Sequence, residues 1–154
     1  MVSFLQFNST AAMTPPGGAT MLVVGFSDTG GQDENSRSPA WGGAGLTYIP
    51  GTFAESGGTR NVEFYSLANP ALAAGTLTWT GGGSMGAWWI GGSNLTSSFY
   101  RDVDVTTIAN DNNISCTVSS AINDLVLYIF RMSAADASWT GDVTSNVLGG
   151  ASWG

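Results

Sequence analysis

Thr20-Met-Leu-Val-Val-Gly-Phe-Ser27 carries apolar side chains on both sides of an extended chain. Successive strand side chains alternate between faces, so Leu22, Val24 and Phe26 fall on one face and Met21 and Val23 on the other. The run is rich in β-branched and aromatic residues, is too short for a typical helix, and follows the chain-breaking Pro15-Pro16-Gly17-Gly18. It therefore reads as a strand. Two further stretches share the two-faced pattern. In Asp124–Met132, Leu125, Leu127 and Ile129 oppose Val126, Tyr128 and Phe130; in Ser84–Ile90, Met85, Ala87 and Trp89 oppose Trp88 and Ile90.

Working outward, other short strands are expected at Ser3–Phe7, Gly45–Ile49, Asn61–Leu67, Thr76–Thr80, Asp102–Thr107 and Ile114–Ser119. Thr76, Thr78 and Thr80 alternate with Leu77 and Trp79, the pattern of a half-buried strand. Between the strands lie turn-forming clusters such as Pro50-Gly51, Asn69-Pro70, Gly81-Gly82-Gly83 and the polar stretch from Asp28 to Pro39. Ala121–Ser138 is the one helical rival, through Ala134-Ala-Asp-Ala137, but its β-rich centre argues for a strand first. The whole of 1–154 reads as one all-β domain, an antiparallel, jelly-roll-like β-sandwich of about eight or nine strands.

Composition narrows the chemistry. The chain has no His and no Lys; its only basic residues are Arg37, Arg60, Arg101 and Arg131. A Ser-His-Asp or Cys-His-Asp triad and a His-ligated zinc site are excluded, as are a Schiff-base lysine and a P-loop lysine. The net charge of −7 disfavours nucleic acid and anionic membranes as partners. Cys116 is the only cysteine, so no intrachain disulfide forms, and its alternating surroundings suggest a small core residue. The first residues lack the basic start and apolar run of a signal peptide, so synthesis in a bacterial cytoplasm without general export is expected.

Val62-Glu-Phe-Tyr-Ser-Leu-Ala-Asn-Pro-Ala-Leu-Ala-Ala-Gly-Thr-Leu-Thr-Trp79 resembles a β-sandwich domain of phage virion proteins and some bacterial surface proteins. In that family an aromatic strand ends in a Leu-x-Asn-Pro turn, followed by a Gly and an alternating Thr strand. Met21–Gly25, Gly86–Gly91 and Asn123–Leu127 resemble further parts of the same domain, in the same order. The resemblance implies a jelly-roll-like sandwich with a structural or adhesive role and no catalytic residues. The chain departs from the family at Gly149-Gly-Ala-Ser-Trp-Gly154, where a last alternating strand is expected to be missing, replaced or supplied by a neighbour.

The two-faced strands have two readings: central strands covered on the outside by long loops, or a sheet whose outer face is buried against sister subunits, and the low content of charge favours the second. The residues expected at such an interface are Phe4, Phe7, Trp88, Ile90, Tyr128, Phe130 and Trp153. The leading expectation is a non-enzymatic virion structural protein of a tailed phage: a head decoration (cement) or short spike subunit, homotrimeric, bound to the major capsid protein or another virion protein. It would need no cofactor and no metal. The acidic residues Asp28, Asp33, Glu34, Asp102, Asp104 and Asp111 match no Ca²⁺-loop spacing and read as solvated turn residues. The alternative is a carbohydrate-binding or host-adhesion module of a tail fibre, with surface glycans stacked on Trp41, Tyr100, Trp139 and Trp153. A two-carboxylate glycosidase, drawing on residues such as Asp102, Asp104 or Glu63, is the third class.

Overall fold

The computed structural model of the chain describes residues 2–28, 30, 33–56, 60–92, 119, 125–127, 129–131, 146–148 and 151–153. The described strands are β1 (Ser3–Asn8), β2 (Ala12–Met13), β3 (Ala19–Asp28), β4 (Ala40–Trp41), β5 (Ala44–Gly45), β6 (Thr47–Tyr48), β7 (Ala54–Ser56), β8 (Arg60–Ala68), β9 (Gly75–Thr76), β10 (Ser84–Gly91), β11 (Ile129–Arg131), β12 (Asn146–Leu148) and β13 (Ala151–Trp153). No described residue is helical. The protein is all-β, antiparallel in every described strand pair, and sandwich-like. The expected strands at Asp102–Thr107 and, but for Ser119, at Ile114–Ser119 lie outside the described residues.

The main sheet has six strands, in the order β1-β10-β3-β8-β6, with β7 also paired to β8. Its two faces explain the two-faced sequence pattern. On the first face, Leu22, Val24, Phe26, Tyr65, Met85, Ala87 and Trp89 pack with Met13, Trp41, Leu46 and Leu77, which arrive from the short strands and connections at 12–13 and 40–78. On the second face, Met21, Val23, Trp88 and Ile90 pack with Ile49 and with the partly buried Val2, Phe7, Phe64, Leu125, Leu127 and Ile129. Long buried strands read as continuous apolar runs when both faces are covered. Here the chain supplies both covers itself.

That result corrects the expectation of an outer face left for sister subunits. Trp88 is 2% exposed and Ile90 5% exposed within a single chain. Trp88 is held between Phe7 and Phe64, with ring centroids at 5.2 and 5.6 Å. Near the end of the chain, β13 pairs antiparallel with both β11 and β12, making a three-stranded sheet. Thr76–Thr80 behaves as the alternation requires: Leu77 is buried and Trp79 half-buried, while the three threonines are exposed. Asn69 sits at φ 49°, a left-handed conformation that Asn tolerates, and its N–H donates to the Thr20 carbonyl at 2.9 Å.

Candidate functional site

Two features of the main sheet depart from an ordinary inert sandwich. They lie on opposite sides of it.

The first is a buried ion cluster. Asn61, Glu63 and Tyr65 alternate onto the first face of β8, and Asp28 ends β3 beside Asn61. The connection after β3 brings Arg37 down onto them. Both Arg37 and Glu63 are fully buried, and their Nε and Oε1 atoms lie 2.7 Å apart. These two atoms form a charge contact not aligned as a hydrogen bond. Arg37 also donates from Nη2 to Asn61 Oδ1 at 2.8 Å and from Nη1 to the Gly82 carbonyl at 2.7 Å. Asp28 Oδ2 lies 3.4 Å from Nη2. Glu63 Oε2 accepts from the Asn35 N–H at 3.0 Å and from the Tyr65 hydroxyl at 3.1 Å. The guanidinium carbon stands 5.3 Å from the centre of the Phe26 ring.

One guanidinium thus serves two carboxylates in a site closed to water. Burial and the neighbouring Glu63 charge push the Tyr65 hydroxyl well above its ordinary titration range. The network ties the 33–39 connection to β3, β8 and the turn before β10. It also fixes Asn35 and Ser38 in left-handed backbone, at φ 56° and 45°. Asp28, expected as a solvated turn residue, is instead part of this interior. The sequence did carry a signal for it. Asn61 and Glu63 share strand parity with Tyr65 and Leu67, so polar groups had to enter the core face beside a lone arginine.

The second feature is the β1 edge. β1 pairs with β10 on one side, and no described strand pairs with its other side. Phe4 is 51% exposed and Leu5 37% exposed. The register shifts between Phe4 and Gln6, so Leu5 and Gln6 together oppose Trp89, a two-against-one bulge. Neither β1 nor β10 contains a charged residue. The charged side chains described, Asp28, Asp33, Glu34, Arg37, Glu55, Arg60 and Glu63, belong to the end of β3, the connection after it, β7 and β8. Two strand steps of about 4.8 Å, roughly 10 Å, separate β1 from β3, and three, roughly 14 Å, separate it from β8; both exceed the screening length of about 8 Å at physiological salt.

Of the residues expected at an interface, Phe4 is exposed on this edge and Phe7 is half-buried against Trp88. Trp88 and Ile90 are interior. Phe130 and Trp153 lie on β11 and β13, with only their backbones described, and Tyr128 lies outside the described residues. Trp41, expected among exposed sugar-stacking aromatics, is 1% exposed and donates from Nε1 to the Ala71 carbonyl at 2.8 Å. Tyr100, Trp139, Cys116, Asp102, Asp104 and Asp111 lie outside the described residues. Among the described residues no cluster of His, Cys, Asp and Glu has metal-binding geometry. No described helix is long and apolar enough to cross a membrane.

Comparison with family models, curated proteins and solved structures finds no match to this chain. The class that the geometry itself defines is an all-β, antiparallel, sandwich-like protein whose β1 edge is uncharged and has no partner on its outer side among the described strands.

Proposed function

We propose that the chain is a non-enzymatic structural protein of a tailed-phage particle, a capsid decoration (cement) or short spike subunit. It assembles on the particle through uncharged, apolar subunit contacts centred on its β1 edge. The observation that carries this reading is the exposure of Phe4 and Leu5 on a strand without charge and without a described partner on its outer side. Exposed edges with apolar side chains are sites of strand addition, where backbone hydrogen bonds supply affinity and side chains supply register. The buried ionisable groups support a structural role. Arg37, Glu63 and Asp28 are spent on one another and on the backbone, where they hold a loop rather than face a substrate. The sequence resemblance to virion sandwich domains points the same way.

The test is co-sedimentation of the purified chain with phage particles stripped of it. The reading predicts saturable binding at hundreds of sites per particle. Binding stays nearly constant from about 0.05 to about 0.5 M ionic strength, because no residue of β1 or β10 carries a charge to be screened. Introducing a charge at Phe4, with Phe4→Asp, abolishes it. Binding that collapses as salt rises, or that ignores Phe4→Asp, overturns the reading. Binding at a few tail sites in place of the head would favour a fibre adhesion module.

A further inference from the structure

Natural sheets guard their edges with Lys, Pro, inward charges or bulges. The edge Ser3-Phe-Leu-Gln-Phe-Asn8 has no charge and no Pro, and its one device is the bulge at Leu5 and Gln6. Its bulge decides which side chains share a face. Gln6 opposes Trp89 with Leu5 beside it, and Asn8 opposes Ala87, so all three lie on the first face. Asn8 Oδ1 accepts from the Trp89 indole at 3.0 Å on that face. Ser3 and Leu5 flank Gly91, where an added Cβ would lie 3.2 and 3.1 Å from their side-chain ends. Phe4 opposes Ile90 and Phe7 opposes Trp88, so both lie on the second face although they are three residues apart.

This order is complementary to itself. An antiparallel copy related by a two-fold axis between Leu5 and Gln6 sets Phe4 against the partner's Phe7, Leu5 against the partner's Gln6, and Ser3 against the partner's Asn8. Residues directly opposite each other in an antiparallel pair share a face. All three pairs satisfy that condition: aromatic against aromatic on the second face, and Leu5 against Gln6 and Ser3 against Asn8 on the first. A slip by one or two residues breaks it, because Phe4 or Phe7 then opposes a residue of the other face. Without the bulge the two phenylalanines would stand on opposite faces and no such match would exist.

Resting on the reading of β1 as the assembly edge, we propose that its partner is β1 of a second copy. The two main sheets join through an antiparallel β1–β1 contact with Phe4 and Phe7 stacked across it. Charge does not oppose this partner: neither β1 nor its described neighbour β10 contains a charged residue. A two-fold contact of this kind closes at two subunits. It therefore gives a dimer in place of the trimer expected from sequence.

Sedimentation equilibrium of the full chain tests the contact. The expected result is a dimer at micromolar concentration whose dissociation constant rises at least about tenfold, near 1.4 kcal/mol, in Leu5→Lys. Leu5 is exposed, so far-ultraviolet circular dichroism should be unchanged in that variant. The register is tested by oxidation in a Cys116→Ser background. Ser3→Cys copies mixed with Asn8→Cys copies should cross-link, and neither should cross-link alone. A monomer, or an oligomer that ignores Leu5→Lys and gives no mixed cross-link, overturns the proposal. A monomer that still coats particles removes the self-pairing and leaves the virion role standing. A dimer with the stated cross-link that binds no particle does the reverse.

Discussion

Replacing Arg37 by Met removes the guanidinium and keeps much of the side-chain volume. Glu63, fully buried, then has only the Asn35 N–H at 3.0 Å and the Tyr65 hydroxyl at 3.1 Å as the described donors to its charge. Asp28 keeps the Gly30 N–H at 2.9 Å but loses the nearby cation. Asn61 Oδ1 and the Gly82 carbonyl lose donors at 2.8 and 2.7 Å. Breaking a buried ion pair from one side costs about 3–5 kcal/mol, because the remaining charge is left in a poor solvent. For a domain of this length each kcal/mol lowers Tm by roughly 2–4 °C, so Arg37→Met should melt about 6–20 °C lower. Glu63→Gln should cost less than Arg37→Met, since Arg37 keeps Asp28 and the cluster loses its excess carboxylate. Thermal unfolding followed by circular dichroism, with guanidinium titration as a check, gives both numbers. A loss under about 1 kcal/mol for Arg37→Met, or a larger loss for Glu63→Gln, would refute the view that this cluster locks the sheet.

Three other outcomes follow from the same geometry. Burial first, and then the hydrogen bond to Glu34, push the Tyr48 hydroxyl from 10.0 up to about 12, while burial and the Glu63 charge push Tyr65 upward too. A raised tyrosine pKa gives stability that is complete below pH 10 and is lost as pH climbs through about 12. Absorbance titration should show part of the tyrosine signal ionising only above the ordinary range, together with alkaline unfolding. Trp88→Asp should unfold the chain rather than dissociate subunits, because Trp88 lies inside the second core; a folded monomer by circular dichroism and sedimentation would contradict this. Asn69→Ala should cost about 1–2 kcal/mol in guanidinium unfolding and Asn69→Gly much less, since φ 49° strains an ordinary side chain.

Much of the fold was legible because the strands that form the main sheet carry strong local signals. Thr20–Ser27, Asn61–Leu67 and Ser84–Ile90 are found as β3, β8 and β10 with shifts of one residue at their ends. Gly45–Ile49 was less so: the structure divides that region between β5 and β6, which pair with different strands. Pairing is a tertiary matter that a short run of sequence does not encode. The two-faced pattern was read correctly as burial on both sides, but it left the chain's own loops and sister subunits as rival covers and favoured the second, because alternation reports that a face is buried and not by what. Phe4 and Phe7 illustrate the same limit. Their spacing suggests opposite faces of a strand, and only the pairing with Ile90 and Trp88 reveals the bulge that brings them together. Glu63 could have been placed from its parity with Tyr65, whereas its contact with Arg37 required the loop to fold back.

Cryo-electron microscopy of intact particles tests the central claim most directly. The account predicts sandwich-shaped density in hundreds of copies on the head surface, with Phe4 and Leu5 of β1 buried in a subunit contact. Density confined to a few copies at the tail, an exposed β1 edge on the assembled particle, or no copies of the chain at all would contradict it.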